Sequence, residues 1–479
     1  MTTLMNQLQA RIETAVNKTG TYNEALQNLA NLYGVPQGET GSRLIPVVQV
    51  FDPTINNATA AQNYLLYNST IVSGGVPSLG LDFTSGVLDP RVTFTRASTA
   101  TRVNAAGLIE SVAINGPRFD YDPATLAPKG LLIEEQRTNL VTYSSEFDNA
   151  AWSKNTASIT TNTVVAPDGT LTADKMVTNV GTALIGLNNN IGTFTAGTNT
   201  QSIFVKVDSG VRYVQLLWSS GSISTDYANF DLQTGLVTAG TYTAASAVLT
   251  RNNWYRLSLT STVSAVAGGM FIAAIPSATS ARAAFYTGDG ISGIYLWGAQ
   301  LEAGAFATSY IPTVASQVTR STDNASMTGA NFSSWYNATE GTLFAQASAF
   351  GLLAAGNGVV GVSDGTQNNR FGIYAISTNN AVSGYMRTSG TTEVDLSVNT
   401  AAASAQVFES AFSYKLNDFA FSANGATPLT DTSGIVATTD RLVIGAIYAA
   451  GTNLINGHIR RIMYYNTRLT NAQLQALTS

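Results

Sequence analysis

The sequence predicts a mainly β protein: tandem antiparallel β-sandwiches of jelly-roll or lectin-like type, preceded by a short N-terminal α-helical anchor. Three observations carry this. Short runs with period-two alternation recur along the chain and are punctuated by Asp-Gly, Asn-Gly and Thr-Gly turns. Charged residues make up only 11% of the 479 residues, about half the usual share, so Thr, Ser, Asn and Gln must wet the surface. Helical periodicity is concentrated in the first 34 residues.

In that first segment Met5, Leu8, Ile12 and Ala15 fall at spacings of three, four and three, the seam of a short coiled coil. Gly20 breaks it. Thr21 and Glu24 then form a capping box ahead of a second helix carrying Leu26 and Leu29, which Gly34 and Pro36 end. Helices this short are marginal alone. The apolar stripe therefore predicts burial against other copies of the chain or a docking surface, so residues 1–34 are read as an anchor and oligomerisation segment. Residues 35–139 follow as a neck and β-rich unit.

Within that unit Val92, Phe94 and Arg96 alternate with Thr93 and Thr95 as a half-buried strand, and Asp122-Pro123 and Ala127-Pro128 mark turns. Four acids here invite a test for catalysis. Asp120 and Asp122 share a strand face, whereas Glu134 and Glu135 point opposite ways. A glycosidase needs two carboxylates about 5–9.5 Å apart. Turn capping by Asp122, and pairing of the glutamates with Arg118 or Arg137, is the simpler expectation.

Residues 140–312 read as one sandwich, with strands at SIFVKV (202–207), VRYVQLLW (211–218) and NWYRLSL (253–259). Tyr255, Leu257 and Leu259 alternate cleanly with Arg256 and Ser258. Tyr213 and Trp218 fall on opposite faces of one strand, and either ring, if exposed, would make a candidate flat platform for a ligand. Residues 313–326 read as a linker, and 327–479 as a second sandwich in which Asn424-Gly425 signals a hairpin. Thr470 and Gln473 form a capping box that turns Leu474 and Leu477 toward a sheet.

The run LDFTSGVLDPRVTFTRASTATRVNAAGLIESV, followed by PRFDYDPATLAPKGLLIEEQRTNL, resembles a segment recurring in bacteriophage head-spike and tail-fibre structural proteins. The likeness covers 81–139 closely and continues more loosely to about residue 320. FDNAAWSK, APDGTLTADKM, FDLQTG, NNWYRL and GIYLWGAQLEAG are similar to carbohydrate-binding jelly rolls, which implies core positions for Trp152, Trp254 and Trp297. GHIRRIMYYNTRLTNAQLQALTS resembles the closing strand and helix of concanavalin-A/laminin-G-like sandwiches. These resemblances imply a virion structural protein, made in the host cytoplasm and released in a particle. Its first segment would bind capsid or tail proteins, it would form a homo-oligomer (a trimer is favoured), and its outer modules would meet host-surface glycans. A tail-fibre receptor-binding protein and a polysaccharide-degrading spike enzyme are the alternatives.

Composition removes other classes. A net charge of −5 without a basic cluster argues against nucleic acid. The longest apolar run, Ala265–Ile275, falls far short of the roughly 20 residues that span a bilayer. There is no cysteine, and His458 is the only histidine, expected at a surface or edge position. With no nucleophile motif, P-loop or dinucleotide fingerprint, no catalytic residue and no cofactor are assigned. No metal is assigned either, although Asp364-Gly365 is the turn that would suit Ca²⁺.

Overall fold

A computed structural model describes residues 76–350, 356–376, 381–400, 406–449 and 451–479. Met5, Leu8, Ile12, Ala15, Leu26 and Leu29, with the whole helical anchor, lie outside the described residues. What is described is mainly β and antiparallel, as two sandwiches, one inserted into the other.

The outer sandwich has sheets of eight and seven strands. In the larger, Glu340–Ala349 and Gly457–Tyr465 lie side by side at the centre, with Phe408–Lys415, Phe419–Ala423 and Leu429–Asp431 continuing beyond Glu340–Ala349. The opposite flank of Gly457–Tyr465 is filled from far upstream. Leu79–Asp82 pairs along one end of it (Leu79 opposite Tyr464), and Pro128–Ile133 along the other (Ile133 opposite Gly457). In the smaller sheet Thr93–Thr95 is the edge strand beside Asn324–Thr328. Between the sheets Leu79, Leu81, Phe83, Leu131 and Ile133 pack with Leu343, Phe371, Phe412, Ile459 and Ile462 in one core. Gly130 permits the close approach: at its φ of 97° a Cβ would lie 2.2 Å from the Ile459 carbonyl oxygen.

This arrangement changes the domain reading. The stretch 81–139 is not a unit of its own, because its strands complete both sheets of the C-terminal sandwich. The supposed linker at 313–326 holds the strand Val318–Arg320 and the start of Asn324–Thr328. Its Thr- and Ser-rich text hides two buried charges, Arg320 and Asp323. Val318–Arg320 pairs with Arg137–Asn139, so the chain leaves for the inserted module and returns from it at one place.

The inserted module is a sandwich of two six-stranded sheets. One contains Gly197–Ser209 and Tyr255–Val263, the other Tyr213–Trp218 and Ala267–Ile275. The alternation seen in the sequence decides the faces. Ile203, Val205, Leu257 and Leu259 point into the core, and Phe204, Arg256, Ser258 and Thr260 point to the outer face. The closing helix Asn471–Leu477 carries the expected capping box, with Leu474 and Leu477 buried.

Residues 327–479 expressed alone should therefore fail to fold. Gly457–Tyr465 would become an open edge, and the core would lose Leu131 and Ile133. Poor dispersion in an amide NMR spectrum is expected; a native-like spectrum would contradict the shared sheet.

Candidate functional site

Where the module joins the outer sandwich, five buried charges converge. Arg118 bonds Glu134 (Nη1 to Oε2, 2.7 Å) and Asp323, Arg96 bonds Asp323 Oδ1 at 3.1 Å, and Arg320 bonds Glu134 Oε2 at 2.9 Å. The module contributes Ser309, whose backbone N–H and hydroxyl each donate to Glu134 at 2.7 Å. Burial would push the Glu134 carboxyl up, but Arg320, Arg118 and the Ser309 donors outweigh it and hold it far below the usual carboxylate range. The expected pairings are both present, Glu134 with Arg118 and Glu135 with Arg137. The parts the sequence did not reveal are Arg320 and Asp323.

Beside this network a cleft of about 720 Å³ lies between the two sandwiches. The outer sandwich lines it with Asp120, Lys129, Phe350 and His458. The outer face of the module's sheet supplies Phe204, Ser246, Arg256 and Ser258, and Thr308, Ser309 and Phe306 come from the loop between them. His458 is 1% exposed, against the expectation of a surface or edge position. The reason is that Gly457–Tyr465 is an interior strand once the upstream strands pair beside it. Its Nε2 lies 2.8 Å from Asp120 Oδ2, and its ring meets Phe350 edge-on at 5.1 Å. Asp120 also accepts the Val103 N–H at 2.7 Å. Asp122 does not join it: a bulge between Asp120 and Tyr121 breaks the shared face, and Asp122 accepts the N–H groups of Ala124 and Thr125 in a turn.

The cations of the cleft are placed differently. Arg102 is engaged by Glu110 at 2.7 Å. Arg256 lies over the Phe204 ring, 5.4 Å from its centroid, and donates to Ser202 Oγ at 3.1 Å. Among the described residues it makes no ion pair, and its Nε is buried without a partner. Burial without an acid in contact lowers its pKa, although Glu302 and Glu134 pull the other way from a distance. Lys129, half-buried, also has no ion pair among the described residues.

The two proposed platforms fare less well. Trp218 is fully buried and packs edge-on against Phe194 at 5.4 Å, so it presents no face to a sugar. Its side of Tyr213–Trp218 is the inner one, shared with Val214 and Leu216. Tyr213 is half-buried on the other face, with the Arg212 guanidinium 5.0 Å from its ring centroid. Much of that face is covered, because Gln215 and Asn229 are bonded to the carbonyls of Ala278, Ser280 and Ala281. Trp152, Trp254 and Trp297 are buried as implied. Asp364 is occupied by Thr366 and Asn369, and no group of three His, Cys, Asp or Glu among the described residues is placed to hold a metal.

No family model matches the sequence, and no curated relative matches it. Solved structures similar to it include the CBM40 of the Ruminococcus gnavus IT-sialidase bound to α2,3-sialyllactose (20% identity over 30% of this chain and 84% of that one, TM-score 0.26). Another is the K499G mutant of the NanB sialidase from Streptococcus pneumoniae (16% identity over 32% of this chain and 26% of that one, TM-score 0.28). A third is domain 4 of the arabinanase AbnA from Geobacillus stearothermophilus with arabinotriose (12% identity over 37% of this chain and 83% of that one, TM-score 0.28).

Two outcomes follow from the buried charges. Replacing Asp323 with Ala leaves Arg96 and Arg118 short of their shared partner and should cost about 3–5 kcal/mol in denaturant unfolding. Asp440→Ala, at an exposed pair, should cost less than about 1 kcal/mol.

The second concerns pH. Burial lowers the His458 pKa below its ordinary 6.5, against the opposing pull of Asp120. The unfolded chain then takes up a proton that the folded chain refuses, so this contribution is complete above pH 6.5 and drains away as the pH falls toward the folded value. Glu134, also depressed, adds a second loss below its ordinary 4.5. The Tm should fall in two stages on acidification, and His458→Gln should remove the first. A Tm unchanged between about pH 7 and pH 5 would contradict the assignment.

Proposed function

We propose that the protein is a bacteriophage spike or fibre component that holds host-surface oligosaccharide in the cleft between its two sandwiches and does not hydrolyse it. The observation that carries the binding half is the cleft itself. Its volume of about 720 Å³ is in the range of ligand sites, and it combines the half-buried ring of Phe350 with the hydroxyls of Ser246 and Ser258. Rings give a sugar's C–H faces something to lie on, and hydroxyls answer its own hydroxyls. This cleft replaces Trp218 and Tyr213 as the place where recognition would occur.

The state of the acids supports the non-enzymatic half. Glycoside hydrolysis asks one carboxyl to hold a proton near neutral pH and a second to act as base or nucleophile. Glu134 is pushed the opposite way, with its oxygens taken up by Arg118, Arg320 and Ser309. Asp120 is held by His458 and the Val103 N–H. The virion half rests on the resemblance of residues 81–139 to phage spike and fibre segments, with capsid or tail attachment through residues 1–34.

Ser246→Trp tests the binding site, because Ser246 is exposed on the module's strand Ala244–Leu249 and lines the cleft. Wild-type protein should be retained on a host-glycan array and the variant at least about tenfold less, with Tm unchanged. Equal retention would move the site elsewhere. Release of reducing ends from host polysaccharide by the wild type would overturn the non-enzymatic reading.

A further inference from the structure

The cleft has a charge bias that the whole chain lacks. Acids outnumber bases across the sequence, 29 to 24, yet of the two acids lining the cleft Glu134 is paired with arginines and Asp120 is taken up in hydrogen bonds with His458 and the Val103 N–H. Two of its cations make no ion pair among the described residues and feel acids only at longer range, Lys129 from Asp122 and Arg256 from Glu302 and Glu134, and each sandwich supplies one. Lys129 comes from the outer sandwich strand Pro128–Ile133, Arg256 from the module strand Tyr255–Val263.

Arg256 is the more telling. Strand alternation turns it away from the core that takes Leu257 and Leu259, and its guanidinium is then fixed over Phe204 and by Ser202. A partly desolvated guanidinium with an unpartnered Nε is costly to keep. An oxyanion arriving in the cleft would offset that cost, and the planar fork of an arginine suits two oxygens of one carboxylate. Lys129, a compact charge on a flexible stem, would act over a longer reach.

We infer that the cleft selects an acidic oligosaccharide, one sugar carboxylate lying on Arg256 and the same or a neighbouring acidic residue drawn by Lys129. This rests on the glycan-binding reading and narrows it to a substrate class. Neutral glycans of the same shape would leave the guanidinium unpaired in a drier site than before, and should be rejected.

The test uses the full-length chain on an array of matched oligosaccharides. Each acidic glycan is printed as the carboxylate, with its carboxyl reduced to a primary alcohol, and as a sulfated analogue. Wild-type protein should retain the carboxylate form at least about tenfold over the reduced form. Lys129→Met should shrink that preference several-fold. Arg256→Met should abolish it, and Arg256→Lys should restore only part, since the charge returns without the fork. Should Arg256→Met fold poorly, the paired glycans and Lys129→Met decide alone, Lys129 being half-buried at the cleft wall. Equal retention of carboxylate and reduced forms, both weakened by Ser246→Trp, overturns this inference and leaves the glycan-binding site standing. Retention of the sulfated form in place of the carboxylate overturns the carboxylate assignment. No retention of any glycan overturns both readings.

Discussion

The buried cluster of Arg96, Arg118 and Arg320 around Glu134 and Asp323 is the constraint on which the rest of the structure depends. Its members come from segments that are remote in sequence, and Arg118 bonds both carboxylates at once. Asp323 also accepts the Glu134 N–H at 2.9 Å, so the two acids are tied through backbone as well as through arginine. Apolar side chains of equal volume could fill such a space without loss of stability. They would lack direction. Hydrogen-bonded charges fix where four stretches of chain meet, and therefore how the strands at 119–133 are presented to Gly457–Tyr465.

The cleft is a by-product of that meeting. Ser309 belongs to the module yet completes the Glu134 shell, and the loop around it also carries Phe306 and Thr308 into the cleft floor. The module's outer face is consequently held against the hairpin Ala100–Val103/Ile109–Val112, with Phe204, Trp297 and Tyr310 clustered beside Ile109. Tyr310 meets Trp297 at 4.7 Å and bonds Ser144 through its hydroxyl at 2.6 Å, so one side chain serves both packing and the module's own base. Gly304 lets this junction close: at its φ of 135° a Cβ would lie 1.5 Å from a terminal nitrogen of Arg137.

Local chemistry was legible in the sequence. The alternation of Tyr255, Leu257 and Leu259 with Arg256 and Ser258 assigned both faces of a strand. The Thr470–Gln473 capping box located the closing helix, and pairing of the glutamates with Arg118 or Arg137 could be anticipated from the residue types. What could not be read was pairing over distance. His458 looked like an edge residue because the strand that covers it lies more than 300 positions earlier: the His458–Asp120 contact spans 338 residues. Arg320 and Asp323 were hidden in a Ser/Thr-rich stretch whose composition imitates a linker. Trp218 could be assigned to one face of its strand, but the inward side was not marked, since Tyr213, Gln215 and Leu217 are themselves largely covered.

The inserted module enters and leaves through one strand pair, Val318 opposite Asn139 and Arg320 opposite Arg137. In genetic terms this makes it a cassette. An exchange at those two short strands would replace one wall of the cleft whole and leave Asp120, Lys129 and His458 on the other wall. A new module would then meet an old sandwich without the outer fold being rebuilt. The junction sets one condition on any incoming cassette: it must bring a donor to the place Ser309 holds, or Glu134 is left underbonded at the point where everything meets.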